Sequence, residues 1–401
     1  MRTRFSLPLG LALVLAACAG GADLSGMWAP VYDDPGVFGG SGDQRMSALA
    51  DFGGDLIAVG YDTADGDADA IVWRSRDGMV WDRIPHDEVV FGGDGDQMMG
   101  GVAVIDGGVI VVGSDTSGGD QDAAVWTSPD GLSWSRVQPD EAVFGGDGDQ
   151  MMWAVTAGGP GVIAVGLDGS GGDSDAAVWT SPDGVEWSRV AHDEVVFGGT
   201  GDQWAVDVVT GDLGVIAVGS DRTAGYGDAA VWRSDDGSSW VRVPNQDEVF
   251  GAFGDEAMWG VALGGPGVVA VGWAWHSVEQ YRAAVWTSPD GVTWTPVPDG
   301  PTLRGSVPKA AFMHAVASSD AGFVAVGNES SLGLESDPAV WTSPDGVIWT
   351  RFADPGGKLA DPGAQGMAAV VIGPDGMVAV GWEGVPGYVD TDARVWMVPR
   401  K

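Results

Sequence analysis

Residues 178–187 read Val-Trp-Thr-Ser-Pro-Asp-Gly-Val-Glu-Trp, and the pattern Val-Trp-x-Ser-x-Asp-Gly-x-x-Trp recurs along the whole chain. The first tryptophan of the pattern occurs at Trp73, Trp126, Trp179, Trp232, Trp286, Trp341 and Trp396. The rest of the motif is missing after Trp396. The intervals are 53, 53, 53, 54, 55 and 55 residues. A nearly constant period of this length indicates an array of structural repeats.

Each repeat reads as four short strands. In the third repeat, apolar segments occur at residues 153–157, 162–166, 176–179 and 186–190, and Gly-rich and Pro-containing turns separate them. Four strands of about five residues at a period near 50 are typical of a propeller blade. Segments such as Val-Ile-Ala-Val-Gly do not alternate, because a blade packed between two others buries both of its faces. The sequence predicts an all-β fold with four-stranded blades.

The two ends of the repeat array are offset against each other. The second tryptophan of the pattern is missing after Trp396, but its counterpart stands at Trp28, 53 residues before Trp81. The expected fold is therefore a seven-bladed β-propeller over residues 25–401. We expect the N- and C-terminal segments to pair in blade seven and close the ring.

The N-terminal residues have the composition of a targeting segment. Arg2 and Arg4 precede an apolar run from Leu7 to Ala17, which is too short to span a bilayer. The stretch Leu-Ala-Ala-Cys ending at Cys18 resembles the lipobox of bacterial lipoproteins. The resemblance implies a signal peptide at residues 1–17, a lipidated Cys18 followed by a short tether at 18–24, and a cell-envelope, extracytoplasmic location. The alternative is an ordinary secretory signal that contains the only cysteine of the chain.

The composition excludes one class of partner and permits a packed core. Asp and Glu number 57 against 19 Lys and Arg, for a net charge of -38. Binding of nucleic acid needs clustered Lys and Arg, so we expect no nucleic-acid partner. The 44% hydrophobic content and 20 tryptophans are too high for a disordered acidic chain. We expect a monomer that touches the membrane through its lipid anchor only.

The turn motif points to a known class of propeller. Six copies of Ser-x-Asp-Gly-x-x-Trp begin at Ser75, Ser128, Ser181, Ser234, Ser288 and Ser343. The motif resembles the Asp-box of BNR-repeat propellers, in which the box is a structural hairpin. That family includes sialidases with an arginine triad. Here five arginines follow the outer tryptophan by two residues and are interpreted as surface positions, and Arg45 alone begins an inner strand.

Acidic loops cluster on one face of the expected ring. Ca²⁺ takes six to eight oxygen ligands in flexible geometry, and Gly-rich acidic loops suit it. Calcium is therefore a candidate cofactor, and the candidate ligands are Asp62, Asp65, Asp67, Asp69, Asp120, Asp122, Asp173 and Asp175. The alternative is a solvated acidic face. His86 and His192 occupy equivalent linker positions and are interpreted as surface residues, without zinc-type spacing.

The repetition fails in blades five and six. A ligand seldom has sevenfold symmetry, so a binding site is best sought where repeats diverge. Aromatic, cationic and imidazole side chains replace the acidic consensus there, at Trp259, Trp275, His276, Tyr281, Arg282, Arg304, Lys309 and His314. Such groups can bind a sugar, an aromatic or an anionic group. The alternative is that they are packing residues of a less regular blade.

These observations favour a non-enzymatic, lipid-anchored binding or scaffold protein. Its ligand would be a protein, a peptide or a glycan at the acidic loop face of the propeller. The alternative function is a glycoside hydrolase of sialidase or BNR type, or a polysaccharide lyase, with its site near blades five and six.

Overall fold

A computed structural model describes residues 26–399, apart from 33, 65, 224, 252–253, 278–279, 306–308, 331–335, 355–358, 360–362, 374 and 385–389. The predicted signal peptide, Cys18 and the tether lie outside the described residues. The described strands form seven four-stranded antiparallel sheets, so the predicted all-β, seven-bladed propeller is confirmed. Within these residues no helix is long and apolar enough to cross a bilayer.

The strands of blades one to three follow one another along the chain. The first described strand is β1 (Ala29–Pro30). Blade one consists of β2 (Gln44–Phe52), β3 (Asp55–Asp62), β4 (Asp69–Ser75) and β5 (Trp81–Arg83). Blade two consists of β6 (Gln97–Ile105), β7 (Gly108–Asp115), β8 (Asp122–Ser128) and β9 (Ser135–Arg136). Blade three consists of β10 (Gln150–Gly158), β11 (Gly161–Asp168), β12 (Asp175–Ser181) and β13 (Ser188–Arg189).

Blades four to six repeat this order, and blade seven departs from it. Blade four consists of β14 (Gln203–Gly211), β15 (Gly214–Asp221), β16 (Asp228–Ser234) and β17 (Trp240–Arg242), and the one-turn helix α1 (Asp247–Phe250) follows it. Blade five consists of β18 (Glu256–Gly264), β19 (Gly267–Ser277), β20 (Gln280–Ser288) and β21 (Thr295–Pro296). Blade six consists of β22 (Ala310–Ser319), β23 (Gly322–Ser330), β24 (Ser336–Ser343) and β25 (Thr350–Arg351). Blade seven consists of β26 (Gln365–Gly373), β27 (Gly376–Gly384), β28 (Thr391–Pro399) and β1.

The hydrophobic core lies between neighbouring blades. Each of seven buried clusters joins two adjacent sheets; the cluster between blades three and four, for example, packs Ile163 and Val178 against Val215 and Trp232. Burial of both sheet faces explains why the second strands are apolar without alternation. The cluster between blades seven and one packs Val380 with Trp73, so the packing continues around the full ring.

The closure predicted from the offset tryptophans is confirmed. β1 pairs with β28, with Ala29 opposite Met397 and Pro30 opposite Trp396. The amide of Ala393 also donates to the carbonyl oxygen of Phe38 at 2.9 Å. Trp28 is only 1% exposed. The N-terminal segment is thus an integral strand of the last blade.

The linkers between blades bind both of the blades they join. In the linker after blade one, the carbonyl oxygen of Phe91 accepts the amide of Ala70, which belongs to blade one, at 2.9 Å. The carbonyl oxygen of Val90 accepts the indole N–H of Trp126, which belongs to blade two, at 2.7 Å. A buried indole N–H needs such a partner. The repeated tryptophan therefore fixes each blade to the linker before it.

The Ser-x-Asp-Gly turns are structural. In blade three, Asp183 Oδ1 accepts the amides of Val185 and Glu186, both at 2.9 Å, and these bonds hold the pKa of Asp183 below its usual value. Ser181 Oγ accepts the amide of Gly184 at 2.8 Å. The indole of Trp187 donates back to the carbonyl oxygen of Gly184 at 2.9 Å. The aspartate therefore caps the hairpin by its own backbone contacts.

Candidate functional site

The innermost strand of every blade contains a β-bulge at the same place. In blade three, Met152 pairs with Gly166 and Ala154 pairs with Val165, so Trp153 has no partner in the ladder. A bulge of this kind turns a side chain away from the regular pleat. The bulged residues of the seven blades are Ser47, Gly100, Trp153, Val206, Trp259, His314 and Ala368.

A glycine in the second strand permits each bulge. A Cβ atom at Gly166 would lie 1.8 Å from the carbonyl oxygen of Met151, a separation that no side chain tolerates. The other six blades place a glycine at the same position, with equally close carbonyl oxygens. The glycine lets the inner strand approach where the ladder shifts its register.

All seven bulged residues line one cavity, which we call the central cavity. Its volume is about 460 Å³, within the usual range for small-molecule sites. Inner strands of adjacent blades contact one another, so this cavity lies on the axis of the ring. Arg222 and Gly227, from the connection between β15 and β16, also line it. The cavity is therefore on the side of the ring that carries the acidic loops.

The wall of the central cavity is asymmetric. Blades three to six supply aromatic rings. Trp153 and Trp204 meet edge to face, with centroids 6.1 Å apart, and Trp259 lies 5.5 Å from the ring of His314. Trp259 is 43% exposed, unusual for so large an apolar side chain. The bulged residues of blades seven, one and two are instead small, and Tyr61 of blade one is the aromatic side chain that lines the cavity on that side.

Two arginines face the central cavity. The guanidinium of Arg45 lies 5.4 Å from the ring centroid of Trp382, and that of Arg222 lies 4.8 Å from the centroid of Trp204. Within the described residues, neither guanidinium has a carboxylate oxygen within 4.0 Å. Most other arginines of the propeller are in ion pairs. Arg45 and Arg222 therefore present charge to the cavity without a direct ion pair to the acidic side chains of its wall, Asp255 and Glu256.

His314 is a neutral group in this wall. Burial, followed by the charge of Arg45, lowers its pKa to about 4. Its Nδ1 lies 3.2 Å from the carbonyl oxygen of Met367 and so carries the proton it donates. The remaining nitrogen, Nε2, is then an acceptor for a hydroxyl or amide of a ligand.

Blade five supports the wall from behind with an aromatic cluster. Tyr281 contacts Trp273 and Trp275, with ring centroids 5.0 and 4.8 Å away. Its hydroxyl donates to Asp255 Oδ2 at 3.2 Å, and Asp255 Oδ1 accepts the amide of Gly227 at 3.0 Å. Trp273 and Asp255 line the central cavity. Tyr281 therefore positions two wall residues.

The structure separates the residues predicted for a site in blades five and six. Trp259 and His314 line the central cavity, whereas Trp275 and Tyr281 stand beside its wall. Arg282, Arg304 and Lys309 do not line it. Arg304 pairs with Asp299, and Lys309 pairs with Asp337. The side chain of His276 is outside the described part of the chain.

Arg282 is an internal residue and not an exposed ligand contact. It is 4% exposed, and its Nε lies 3.9 Å from Asp299 Oδ1. Burial lowers the pKa of Arg282, and the carboxylates of Asp299 and Glu256 oppose that effect. The substitution of Arg for the usual Asp at this position thus serves packing and internal charge balance.

Sequence reasoning missed most of the central cavity. Arg45, Trp153, Trp204 and Arg222 belong to blades that look regular, and none was predicted as a ligand contact. A signal was present, because the position after the methionine of the inner strand varies among Ser, Gly, Trp, His and Ala in six blades, and in blade four Val206 follows an alanine instead.

Among the described residues, the aspartates proposed as calcium ligands do not converge on one site. Asp62 accepts Gln44 Nε2 at 2.8 Å and Arg83 Nη1 at 2.9 Å, so it is an internal ion-pair partner. Asp120 is exposed and Asp67 half-buried, while Asp65 falls outside the described residues. Asp173 accepts the amide of Gly201. These positions are spread over blades one to three.

Three of those aspartates lie at the starts of third strands. Burial, then the nearby charge of Glu141, raises the pKa of Asp122 to about 6. Burial also raises the pKa of Asp175 to about 6, although the charge of His192 opposes it. Asp69 and Asp175 each stand beside a histidine and a glutamate.

Comparison with known proteins identifies no family for this chain. No family model matches it, and no curated protein matches it. A solved structure of a protein from Lactobacillus plantarum is similar with a TM-score of 0.51 at 10% identity, over 84% of this chain and 98% of that chain. At this identity the likeness shows the fold alone.

Two further solved structures have lower scores. A protein of unknown function from Dyadobacter fermentans has a TM-score of 0.48 at 14% identity, over 93% of this chain and 98% of that one. A thermostable family-43 glycoside hydrolase has a TM-score of 0.40 at 11% identity, over 85% of this chain and 98% of that one.

Proposed function

We propose that the protein binds an acidic saccharide, a sugar that carries a carboxylate, in the central cavity. The observation that carries this proposal is the position of Arg45 and Arg222 beside tryptophan rings in a cavity of about 460 Å³. Guanidinium groups bind carboxylates through paired, charge-assisted hydrogen bonds. The proposed site is on the same face of the ring that the sequence predicts for ligand binding. The residues that contact the ligand, however, lie at the axis of the ring and not in the loops.

The tryptophans support a sugar as the body of the ligand. A sugar ring has apolar C–H faces and a polar rim, and Trp153, Trp204 and Trp259 supply flat apolar surfaces next to polar groups. The partial exposure of Trp259 leaves its face open to a ligand. Nε2 of the neutral His314 can accept a sugar hydroxyl.

The cavity favours binding over hydrolysis. Glycoside hydrolysis uses two carboxyl groups on either side of the scissile bond. Among the described residues that line the central cavity, the acidic ones are the sequence neighbours Asp255 and Glu256. Asp255 already accepts two hydrogen bonds, and Glu256 is only 2% exposed. We therefore place the hydrolase and lyase alternatives second.

The location of this binding protein is also a proposal, and it depends on the sequence. The residues before Cys18 support lipid modification and a position in the cell envelope outside the cytoplasm. Membership of the Asp-box class is supported by the turn geometry around Asp183. In this proposal the protein holds its saccharide as a monomer tethered by its N-terminus.

A titration of the full-length protein with matched saccharides tests the function. A glucuronate-terminated oligosaccharide is expected to bind, and the neutral glucose-terminated counterpart is expected to bind at least about tenfold more weakly. Arg45→Met should remove this preference, and Trp153→Ala should weaken both ligands. Arg76→Met is the control, because Arg76 is exposed and does not line the cavity.

Three outcomes are informative. Equal binding of both saccharides, or unchanged affinity in Arg45→Met and Arg222→Met, would overturn the proposal of an anion site. Unchanged affinity in Trp153→Ala and Trp259→Ala would move the site away from the central cavity. Release of a shortened product during the titration would favour the hydrolase alternative.

A further inference from the structure

Two copies of the same three-residue cluster lie beside the linkers that follow blades one and three. One consists of Asp175, His192 and Glu194, and the other of Asp69, His86 and Glu88. In each, one ligand atom per residue lies within 4.8 Å of the other two. We propose that each cluster binds one zinc ion. These sites are separate from the central cavity, so their test is independent of the proposed saccharide site.

The separations of the ligand atoms fit a tetrahedral ion. Zinc bonds to nitrogen and oxygen of about 2.0–2.1 Å put neighbouring ligand atoms about 3.3 Å apart. His192 Nε2 lies 3.2 Å from Glu194 Oε2 and 3.6 Å from Asp175 Oδ2. In blade one the corresponding distances from His86 Nε2 are 3.1 and 3.9 Å. Small side-chain adjustments would complete both sites.

A buried oxygen without a partner provides an independent observation. Asp175 is 8% exposed, and its Oδ1 has no hydrogen-bond donor among the described residues. A Cβ atom built on Gly198 would lie 3.1 Å from this Oδ1 and 2.8 Å from Glu194 Oε2, so both oxygens face the same small space. Two carboxylates that share a space repel each other, and a cation held by Asp175 and Glu194 would offset that repulsion and lie next to the unpartnered Oδ1.

The donor set selects zinc over calcium. Each cluster offers one imidazole nitrogen and two carboxylates, which are common zinc ligands. Calcium takes six to eight oxygens and rarely uses imidazole. His192 and Glu194 are exposed, so water can occupy a fourth position. The two linker histidines are exposed, as the sequence indicates, and the proposal adds a metal-binding role to them.

Blade two provides a natural comparison. It keeps both carboxylates, since a Cβ atom on Gly145 would lie 2.9 Å from Asp122 Oδ1 and 2.8 Å from Glu141 Oε2. Its linker has Pro139 at the position of the histidine. Blade two therefore has the same pair of carboxylates and lacks the imidazole.

Zinc titration of the full-length, chelator-treated protein tests the proposal. Calorimetry and metal analysis are expected to give two zinc ions per chain. His86→Ala and His192→Ala should each lose one ion, and the double variant should lose both. Pro139→His should bind a third, because it adds imidazole to an existing pair of carboxylates. Millimolar Ca²⁺ should not displace the zinc. Thermal melting checks that each variant is folded.

The proposal has clear contrary outcomes. Absence of zinc binding by the unaltered protein, or two ions retained in the double variant, would overturn it. Displacement of zinc by calcium would overturn the choice of metal. An unchanged stoichiometry in Pro139→His would overturn the assignment of the missing ligand in blade two to the imidazole.

Discussion

The guanidinium of Arg189 donates to the carboxylate of Asp168 at 2.7 Å. The same group lies 5.4 Å from the ring centroid of Trp179 and donates to the carbonyl oxygen of Gly145 at 2.8 Å. Arg189 belongs to the outer strand of blade three, and Asp168 belongs to the second strand. The side chain of Arg189 therefore connects the outer strand, the second strand and the linker that precedes the blade. The repeated outer arginines therefore lie on the outer strands, as the sequence indicates, but they are partly buried and have a structural role.

Replacement of Arg189 tests that role. Burial acts to raise the pKa of Asp168, but hydrogen bonds from Ser170 and Gln150 outweigh it and keep that carboxylate ionised. Arg189→Met should therefore leave a charged group without its cation and lower the free energy of unfolding by about 2 kcal/mol. Urea denaturation measures this.

Two further variants make the Arg189 experiment specific. Arg76→Met, at a site with an 82% exposed side chain, should change stability little. The double variant Asp168→Asn/Arg189→Met should cost less than the two single changes together, since the residues interact. Additive costs would contradict the pairing.

Gly166 allows the bulge that places Trp153 in the central cavity. Gly166→Ala should destabilise the protein by about 3 kcal/mol, because the new methyl group would overlap the carbonyl oxygen of Met151. Denaturation measures the loss, and saccharide affinity should fall as the bulge is displaced. Gly300→Ala is the matched control, since nothing lies within 4 Å of that position. Equal stability of the two variants would contradict the proposed role of the glycine.

The ring was predictable, whereas the cavity was not. Blade number and closure follow from the spacing of the tryptophans along the chain, including the position of Trp28 one period before Trp81. The bulge at Trp153 depends on Gly166 in the next strand, and a pattern along one strand does not reveal which neighbour shifts its register. The sequence of the inner strand, taken by itself, is that of an ordinary strand and gives no sign of the bulge.

Arg282 shows a second limit. The sequence shows that Arg replaces Asp there, which suggested an exposed binding group. The compensation lies elsewhere in blade five, where Glu256 replaces a buried Gln and Pro296 replaces the outer Arg. These positions meet only in the folded blade, so their joint change is not visible as a motif.

Closure of the ring depends on Trp28. Trp28→Ala should lower the free energy of unfolding by about 3–5 kcal/mol, the usual cost of emptying a large buried site. Deletion of residues 25–36 should destabilise further, because it also exposes the edge of β28. Thermal melting measures both. Trp259→Ala is the control, since that ring is partly exposed. A deletion variant that melts like the full-length protein would contradict closure by the N-terminal strand.

His314 should make stability depend on pH. Its pKa is about 4 in the folded protein against 6.5 for the free side chain. The folded state therefore holds the neutral imidazole, and the unfolded chain takes up the proton first as the pH falls. The stabilisation by neutral His314 is complete above pH 6.5 and is lost as the pH falls toward 4. Because His314 is half-buried at the cavity wall, we expect a loss of about 1–2 kcal/mol rather than the full value of the shift.

A difference measurement isolates the contribution of His314 from the titration of the carboxylates. Unfolding free energies of the unaltered protein and of His314→Gln are compared at several pH values between 7.5 and 4.5, with a chelator present. The carboxylates titrate in both proteins, so the difference between the two curves reports the imidazole. The gap in stability should narrow as the pH falls, since only the unaltered protein loses the contribution of a neutral histidine. Parallel curves for the unaltered protein and His314→Gln would show that His314 does not remain neutral at the cavity wall. That result would also contradict its proposed role as a hydrogen-bond acceptor for a sugar hydroxyl.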